Sequence, residues 1–155
     1  MVLPDDRVFV SSGYGVGCKL FQIQRDSAGF QAALIWETKN LKAKFTNVVP
    51  RDGFIYGLDD GILVCLDLAT GERKWKSGRY GHGQMIGVDD LLLIQAESGD
   101  IVLVEATPEA HHEVTRFAAL TGKTWNNPAL AGAYLLVRND REAACYQLAL
   151  ESAAR

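Results

Sequence analysis

Residue types able to do chemistry occur at several places in this 155-residue sequence, and their spacing decides what each can do. Gly13-Tyr14-Gly15-Val16-Gly17 has the glycine density of a phosphate-cradling loop. The Cys18-Lys19-Leu20-Phe21-Gln22-Ile23 segment after it reads as a strand, so no helix N-terminus faces a phosphate and the stretch reads as a hairpin turn. His111-His112-Glu113 offers metal-ligating types, but adjacent residues of a strand point to opposite faces and no third ligand follows at metal spacing. Asp59-Asp60 and Asp89-Asp90 suggest an acid/base pair, yet both recur where the repeat described below needs a turn, and they read as turn formers. Cys18, Cys65 and Cys145 form no CxxC pair; they read as small buried core residues on separate strands, too far apart to bridge. No P-loop, serine elbow or zinc-finger spacing appears, so no catalytic or metal-binding residue is assigned.

What these groups do depends on the elements that carry them. Four apolar runs, Arg7-Val8-Phe9-Val10, Gly53-Phe54-Ile55-Tyr56, Leu91-Leu92-Leu93-Ile94 and Tyr134-Leu135-Leu136-Val137, are centred on Phe9, Ile55, Leu93 and Leu136, at spacings of 46, 38 and 43 residues. Each is answered by a second run, marked by Phe21, Leu66, Val104 and Tyr146, at spacings of 45, 38 and 42 residues. The two series step together. A unit of roughly 42 residues holding several short strands has the period of a propeller blade, whereas helical repeats would show a 3.6-residue rhythm.

Between the paired runs lie Ser11 to Gly17, Asp59-Asp60-Gly61, Glu97-Ser98-Gly99-Asp100 and Asn139-Asp140-Arg141, turn chemistry that tolerates the positive φ of tight hairpins. The second repeat is the fullest: a first strand near Thr46 to Val49, a turn at Pro50 to Gly53, two strands about Asp59-Asp60-Gly61, and a fourth strand reached through Leu66 to Trp75. The expectation is an all-β propeller of about four four-stranded antiparallel blades, near 1–42, 43–81, 82–123 and 124–150, the last incomplete, with a tail at 151–155. About fifteen strands follow, from a short one at Met1-Val2-Leu3 to a fourth-blade strand missing after Leu150. Rings usually have about 4 to 8 blades, so the chain is expected to form an open half-propeller, with a closed four-blade ring as the alternative.

The stretch Leu66-Asp67-Leu68-Ala69-Thr70-Gly71-Glu72-Arg73-Lys74-Trp75 resembles the tryptophan-docking repeat of the PQQ-like propellers, which include pyrroloquinoline-quinone dehydrogenases and BamB-type assembly lipoproteins. Asp67 and Thr70 suit a capped turn, Gly71 its left-handed residue, and Trp75 a wedge between blades. Trp36 suits the Trp75 position in the first repeat and Phe117 in the third, and the segment from Thr124 to Leu148 is similar to a terminal repeat of such proteins. The resemblance implies a non-catalytic scaffold that binds a protein partner or completing blades, including a second copy as a homodimer, in a periplasmic or secreted bacterial setting. Its alternative is part of a PQQ-dependent alcohol dehydrogenase, which needs the quinone, Ca²⁺, an Asp base and commonly a vicinal disulfide. The sequence has no adjacent cysteine pair, and the expected cofactor is none, with PQQ and Ca²⁺ belonging to the alternative alone.

Composition narrows the partners. A net charge of −3 with scattered lysines and arginines offers no basic stripe for nucleic acid. No apolar run approaches the roughly 18 residues of a membrane span, and Met1 to Asp6 has neither the charged nor the apolar region of a secretion signal. In a propeller, the loops joining blades and those joining second to third strands share one face. Thr46, Asn47, His82, Trp125, Asn126 and Asn127 are expected there, with the turns of Asp60, Glu97, Arg138 and Asp140. An indole platform, amide donors and an arginine suit recognition of a peptide, carbohydrate or other small molecule.

Overall fold

A computed structural model describes residues 1–149. Among them run fifteen strands and no helix: β1 (Val2–Leu3), β2 (Arg7–Ser12), β3 (Gly17–Asp26), β4 (Gly29–Thr38), β5 (Val49–Arg51), β6 (Phe54–Asp59), β7 (Ile62–Asp67), β8 (Arg73–Arg79), β9 (Gln84–Val88), β10 (Leu91–Gln95), β11 (Asp100–Glu105), β12 (Glu113–Ala118), β13 (Ala129–Ala131), β14 (Tyr134–Arg138) and β15 (Ala143–Gln147). They pair in chain order as antiparallel meanders, three sheets of four strands and a last one of three. The sheets stack as propeller blades in an open arc. The end of the fourth repeat at Leu150 and the tail at 151–155 lie outside the described residues.

Strand alternation builds the three seams between blades. Because successive side chains take opposite faces, β6 sends Ile55 toward the first sheet and Tyr56 and Leu58 toward the third. The first seam buries Phe9, Leu20, Leu41, Ile55, Val64 and Leu66. The second buries Tyr56, Leu63, Cys65, Met85, Leu92 and Val102, and the third Leu93, Ile101, Leu120, Leu135 and Val137. Each fully buried large apolar side chain stabilises by about 1.5–3 kcal/mol, so these seams hold the arc together.

Tight turns within blades follow the sequence. Asp52-Gly53 and Asp60-Gly61 each place two residues at positive φ, 47° and 83° in the first and 47° and 87° in the second, as two-residue hairpins require. The Asp67 carboxylate accepts hydrogen bonds from the amides of Ala69 and Thr70, which closes the turn ahead of β8. Gly71 ends that turn at φ 73° with the Trp36 ring of the preceding blade against it. A Cβ there would lie 2.7 Å from the indole. Gly71→Ala is therefore expected to destabilise by about 2–3 kcal/mol, strain plus overpacking. Gly15→Ala, at φ 80° with open space around it, should show only the backbone part, about 1 kcal/mol, when both variants are unfolded in urea.

Four expectations are corrected. The first strand of the second blade is Val49–Arg51, not Thr46 to Val49, because the segment before it is drawn off by hydrogen bonds to neighbouring blades. Pro50 lies inside that short strand, on the blade edge where its missing N–H costs no ladder bond. All three cysteines occupy third strands, and Cys18 and Cys65 are buried, but Cys145 is exposed because no described residue covers the outward face of β15. His111 and His112 precede β12 instead of lying in it: His111 Nε2 is 2.8 Å from the Tyr80 hydroxyl, and His112 Nδ1 is 3.0 Å from Glu105.

Candidate functional site

The loops that join blades share a face with the turns between second and third strands, and each linker is clamped by turns of the blades on either side. The Ser11 hydroxyl donates to Leu41 O (2.9 Å) and accepts from the Ala43 amide (3.0 Å), while the Lys42 amide donates to Asp59 (2.8 Å). The amides of Tyr80 and Gly81 donate to Gly61 O, and the His82 amide donates to the Glu97 carboxylate at 2.9 Å. The amides of Ala119 and Leu120 donate to Gly99 O, and Asn139 Nδ2 donates to Thr121 O. Hairpin residues of the flanking blades thus hold every linker, with Gly61 and Gly99 supplying equivalent carbonyls in the second and third, and they fix the backbone that carries the linker side chains.

Asp59 is the most enclosed charge on this face. Its side chain accepts from the Lys42 ammonium at 2.5 Å and from Lys76, so one buried carboxylate draws two lysines together. Burial pushes its pKa upward, but the hydrogen bonds from Lys42 and Lys76 outweigh it and the net shift is below the ordinary Asp value. Glu97 is likewise held below the usual carboxylate range, chiefly by the His82 backbone N–H and further by the Trp125 indole, which donates to it at 2.9 Å. Burial, with a smaller push from nearby carboxylates, drives the Cys18 and Cys65 thiols the other way, to about 11, which leaves them protonated near neutral pH.

Across these fixed points runs a row of aromatic and cationic side chains. The Lys44 ammonium lies over the Tyr14 ring (5.5 Å) and 3.3 Å from His82 Nε2. His82 packs against Phe45 at 5.7 Å between centroids, Phe45 meets Trp125 edge-on at 5.1 Å, and the Lys123 ammonium sits 4.6 Å over the indole. Tyr14, Phe45 and Trp125 remain 87%, 50% and 44% exposed; the Trp125 indole is tied to Glu97, Phe45 packs between it and His82, and Tyr14 is met by the Lys44 ammonium alone.

Of the residues expected on this face, His82 and Trp125 belong to the row. Asn126 joins Trp125, Lys123 and Asp140 around a shallow cavity of about 240 Å³. Asn127 is exposed beside them. Asn47 serves as a strap between blades: its side chain exchanges hydrogen bonds with the backbone N–H and C=O of Met85, and its amide donates to Gln84 (3.0 Å). Arg138 adds its carbonyl, which accepts from Gln95 (3.1 Å), while its exposed side chain shares the outward face of β14 with Tyr134 and Leu136. Thr46 is buried in the wall of a groove of about 360 Å³ formed with Met1, Phe9, Val10 and Val48, and its hydroxyl has no hydrogen-bond partner among the described residues.

Sequence reasoning missed Phe45, Lys44, Tyr14 and the Lys42–Asp59–Lys76 trio. Alternation contained a signal for the trio, since Ile55, Gly57 and Asp59 must share a face and that face is core. Nothing local marked Phe45, which lies in an irregular linker. A hard cation beside a quinone needs several converging oxygens. Here the Asp59 carboxylate is taken by two ammonium groups, Glu97 by an amide and an indole, and the cysteines sit in three separate sheets, so these residues do not fit that group.

Docking at the seams follows one pattern twice. Trp36 Nε1 donates to Leu68 O (3.0 Å) and Trp75 Nε1 to Thr107 O (2.9 Å), each indole reaching the carbonyl just past the third strand of the next blade. Asp67, Thr70 and Gly71 form the turn that receives Trp36. Phe117 has no N–H to give; it stacks edge-on against Tyr146 at 5.1 Å, and the tyrosine hydroxyl donates back to Ala119 O.

Comparison with known proteins gives the fold a context. Neither a protein-family model nor a curated protein matches the sequence. Among solved structures, BamB from Moraxella catarrhalis superposes with a TM-score of 0.62 at 14% identity over 89% of this chain and 45% of its own. A europium-containing methanol dehydrogenase gives 0.50 at 16% identity over 72% and 23%, and a structure of S. cerevisiae Dbp5 bound to Nup159, Gle1, IP6 and ADP gives 0.54 at 12% over 96% and 42%. The chain spans less than half of each of these three structures. The shared feature is the fold, a PQQ-like and BamB-like arrangement of propeller blades, and no helix among the described residues is long and apolar enough to cross a membrane.

Proposed function

We propose that this chain is a non-catalytic propeller scaffold that docks a protein partner on its loop face, working without quinone or metal. The observation that supports this reading is the row Tyr14, Lys44, Phe45, His82, Trp125 and Lys123, because neighbouring exposed aromatics flanked by cations are the anchors interfaces favour. The carboxylates and amides around that row are committed to holding linkers, which argues against an acid/base role for them. The resemblance to BamB-type propellers supports the same reading.

Phe45→Ala and Trp125→Ala test it. Both rings are half exposed, so each variant is expected to keep its melting temperature within a few degrees while cross-linking in cells loses a partner band that the native chain captures. A partner that persists in both variants would move the interface elsewhere. The cavity beside Trp125, Asn126 and Asp140 favours carbohydrate or small-molecule binding as a second reading. Indole quenching by a panel of monosaccharides, lost in Trp125→Ala, would select it.

A further inference from the structure

The two ends of the arc carry blade faces that nothing described covers, and equivalent positions show what they lack. Phe9, Tyr56, Leu93 and Leu136 hold the same place in the second strands of the four blades, facing the following blade. The first three are 1%, 0% and 2% exposed, and Leu136 is 48% exposed. Its neighbours on that face, Tyr134, Arg138 and Cys145, are exposed as well. At the other end, Gly57, Ile94 and Val137 are buried facing the preceding blade, while Val10 in the same place is half exposed, beside Val2 and Leu34.

We propose that these faces cover one another between two copies of the chain, the Leu136 face of each packing on the Val10 face of the other to close a ring of about eight blades. This goes beyond the scaffold reading, which concerns the loop face, by naming a partner for the two ends of the arc. Two observations favour a second copy over other occupants. The exposed residues occupy positions that build the internal seams, so the contact extends an interface the chain already makes three times. The contact is head to tail, and four blades of eight subtend about half a turn, so it closes after two copies instead of propagating. The groove lined by Met1, Phe9 and Val10 continues the second face inward.

Light scattering after size exclusion on the 155-residue chain is expected to give about twice 17.0 kDa. Val10→Asp and Leu136→Lys each spoil both seams of their own dimer, so each alone is expected to run as a folded monomer. Mixing them restores a dimer, because the mixed pair has one native seam and one in which the new Asp meets the new Lys. A native monomer across micromolar to millimolar concentration would overturn the proposal, as would larger open-ended masses, a single variant that stays dimeric, or a mixture that stays monomeric. Phe45→Ala and Trp125→Ala should leave the mass unchanged, so a monomer that still binds through those rings would end the ring closure and leave the scaffold reading standing.

Discussion

Trp75→Ala is expected to lower the unfolding free energy by about 3 kcal/mol, the low end of the cost of emptying a large aromatic site, because the ring is partly buried against the seam. The indole packs into the seam between the second and third blades, lies 6.0 Å from the Tyr56 ring and 5.9 Å from His111, and ties the seam to the next blade through Thr107 O. Trp75→Phe keeps most of the packing and loses the hydrogen bond, so about 1 kcal/mol separates it from the native chain. Far-UV circular dichroism in a urea titration measures both without relying on the indole that is removed. An unchanged midpoint in the alanine variant would end the docking assignment.

Asp59→Asn is the second large effect, about 3 kcal/mol at neutral pH, because it leaves the Lys42 and Lys76 ammonium groups facing each other without their shared counter-charge. The effect depends on pH with a definite sign. Burial works to raise the Asp59 pKa, but the two lysines bring it below its ordinary value of 3.8. A carboxylate whose folded pKa is depressed contributes its stability above the unfolded pKa and loses it as the pH falls through the folded one. The gap between native and Asp59→Asn chains is therefore constant from pH 7 to about pH 5 and narrows below pH 4. A gap that persists at pH 2, or that narrows near pH 6, would contradict this origin.

Much of the architecture was legible because a propeller repeats its physics. Paired apolar runs with Asp-Gly turns located the strands, and Leu66 to Trp75 identified the docking turn, since a glycine at positive φ beside a bulky ring has few alternatives. The centre of the second repeat was displaced by one residue, to Ile55 where Tyr56 is the equivalent of Phe9, because both are apolar and both are buried, on opposite seams. Alternation cannot choose a face when both faces are core. Cys145 was misplaced for a related reason: its strand has the composition of a covered blade and only one covered side.

The loop face was less legible because its geometry comes from long-range bonds. Ser11 and Ala43, Asp59 and Lys76, or Glu97 and Trp125 meet across 17 to 32 residues, and no local pattern pairs them. His82, Trp125 and Asn126 could be placed by loop position alone, whereas Phe45 needed the course of its linker. Arg138 was expected among them as a turn residue; it ends a strand, and its parity sends its side chain outward.

The double clamping of each linker has a consequence for recognition. A loop that must be ordered on binding loses conformational entropy at that moment, and the loss is subtracted from affinity. Linkers already hydrogen-bonded to the turns on both sides have little freedom left to lose. Under the scaffold reading, a partner docking on this face would meet a preformed backbone relief, and selectivity there would rest on shape complementarity more than on loop adaptation.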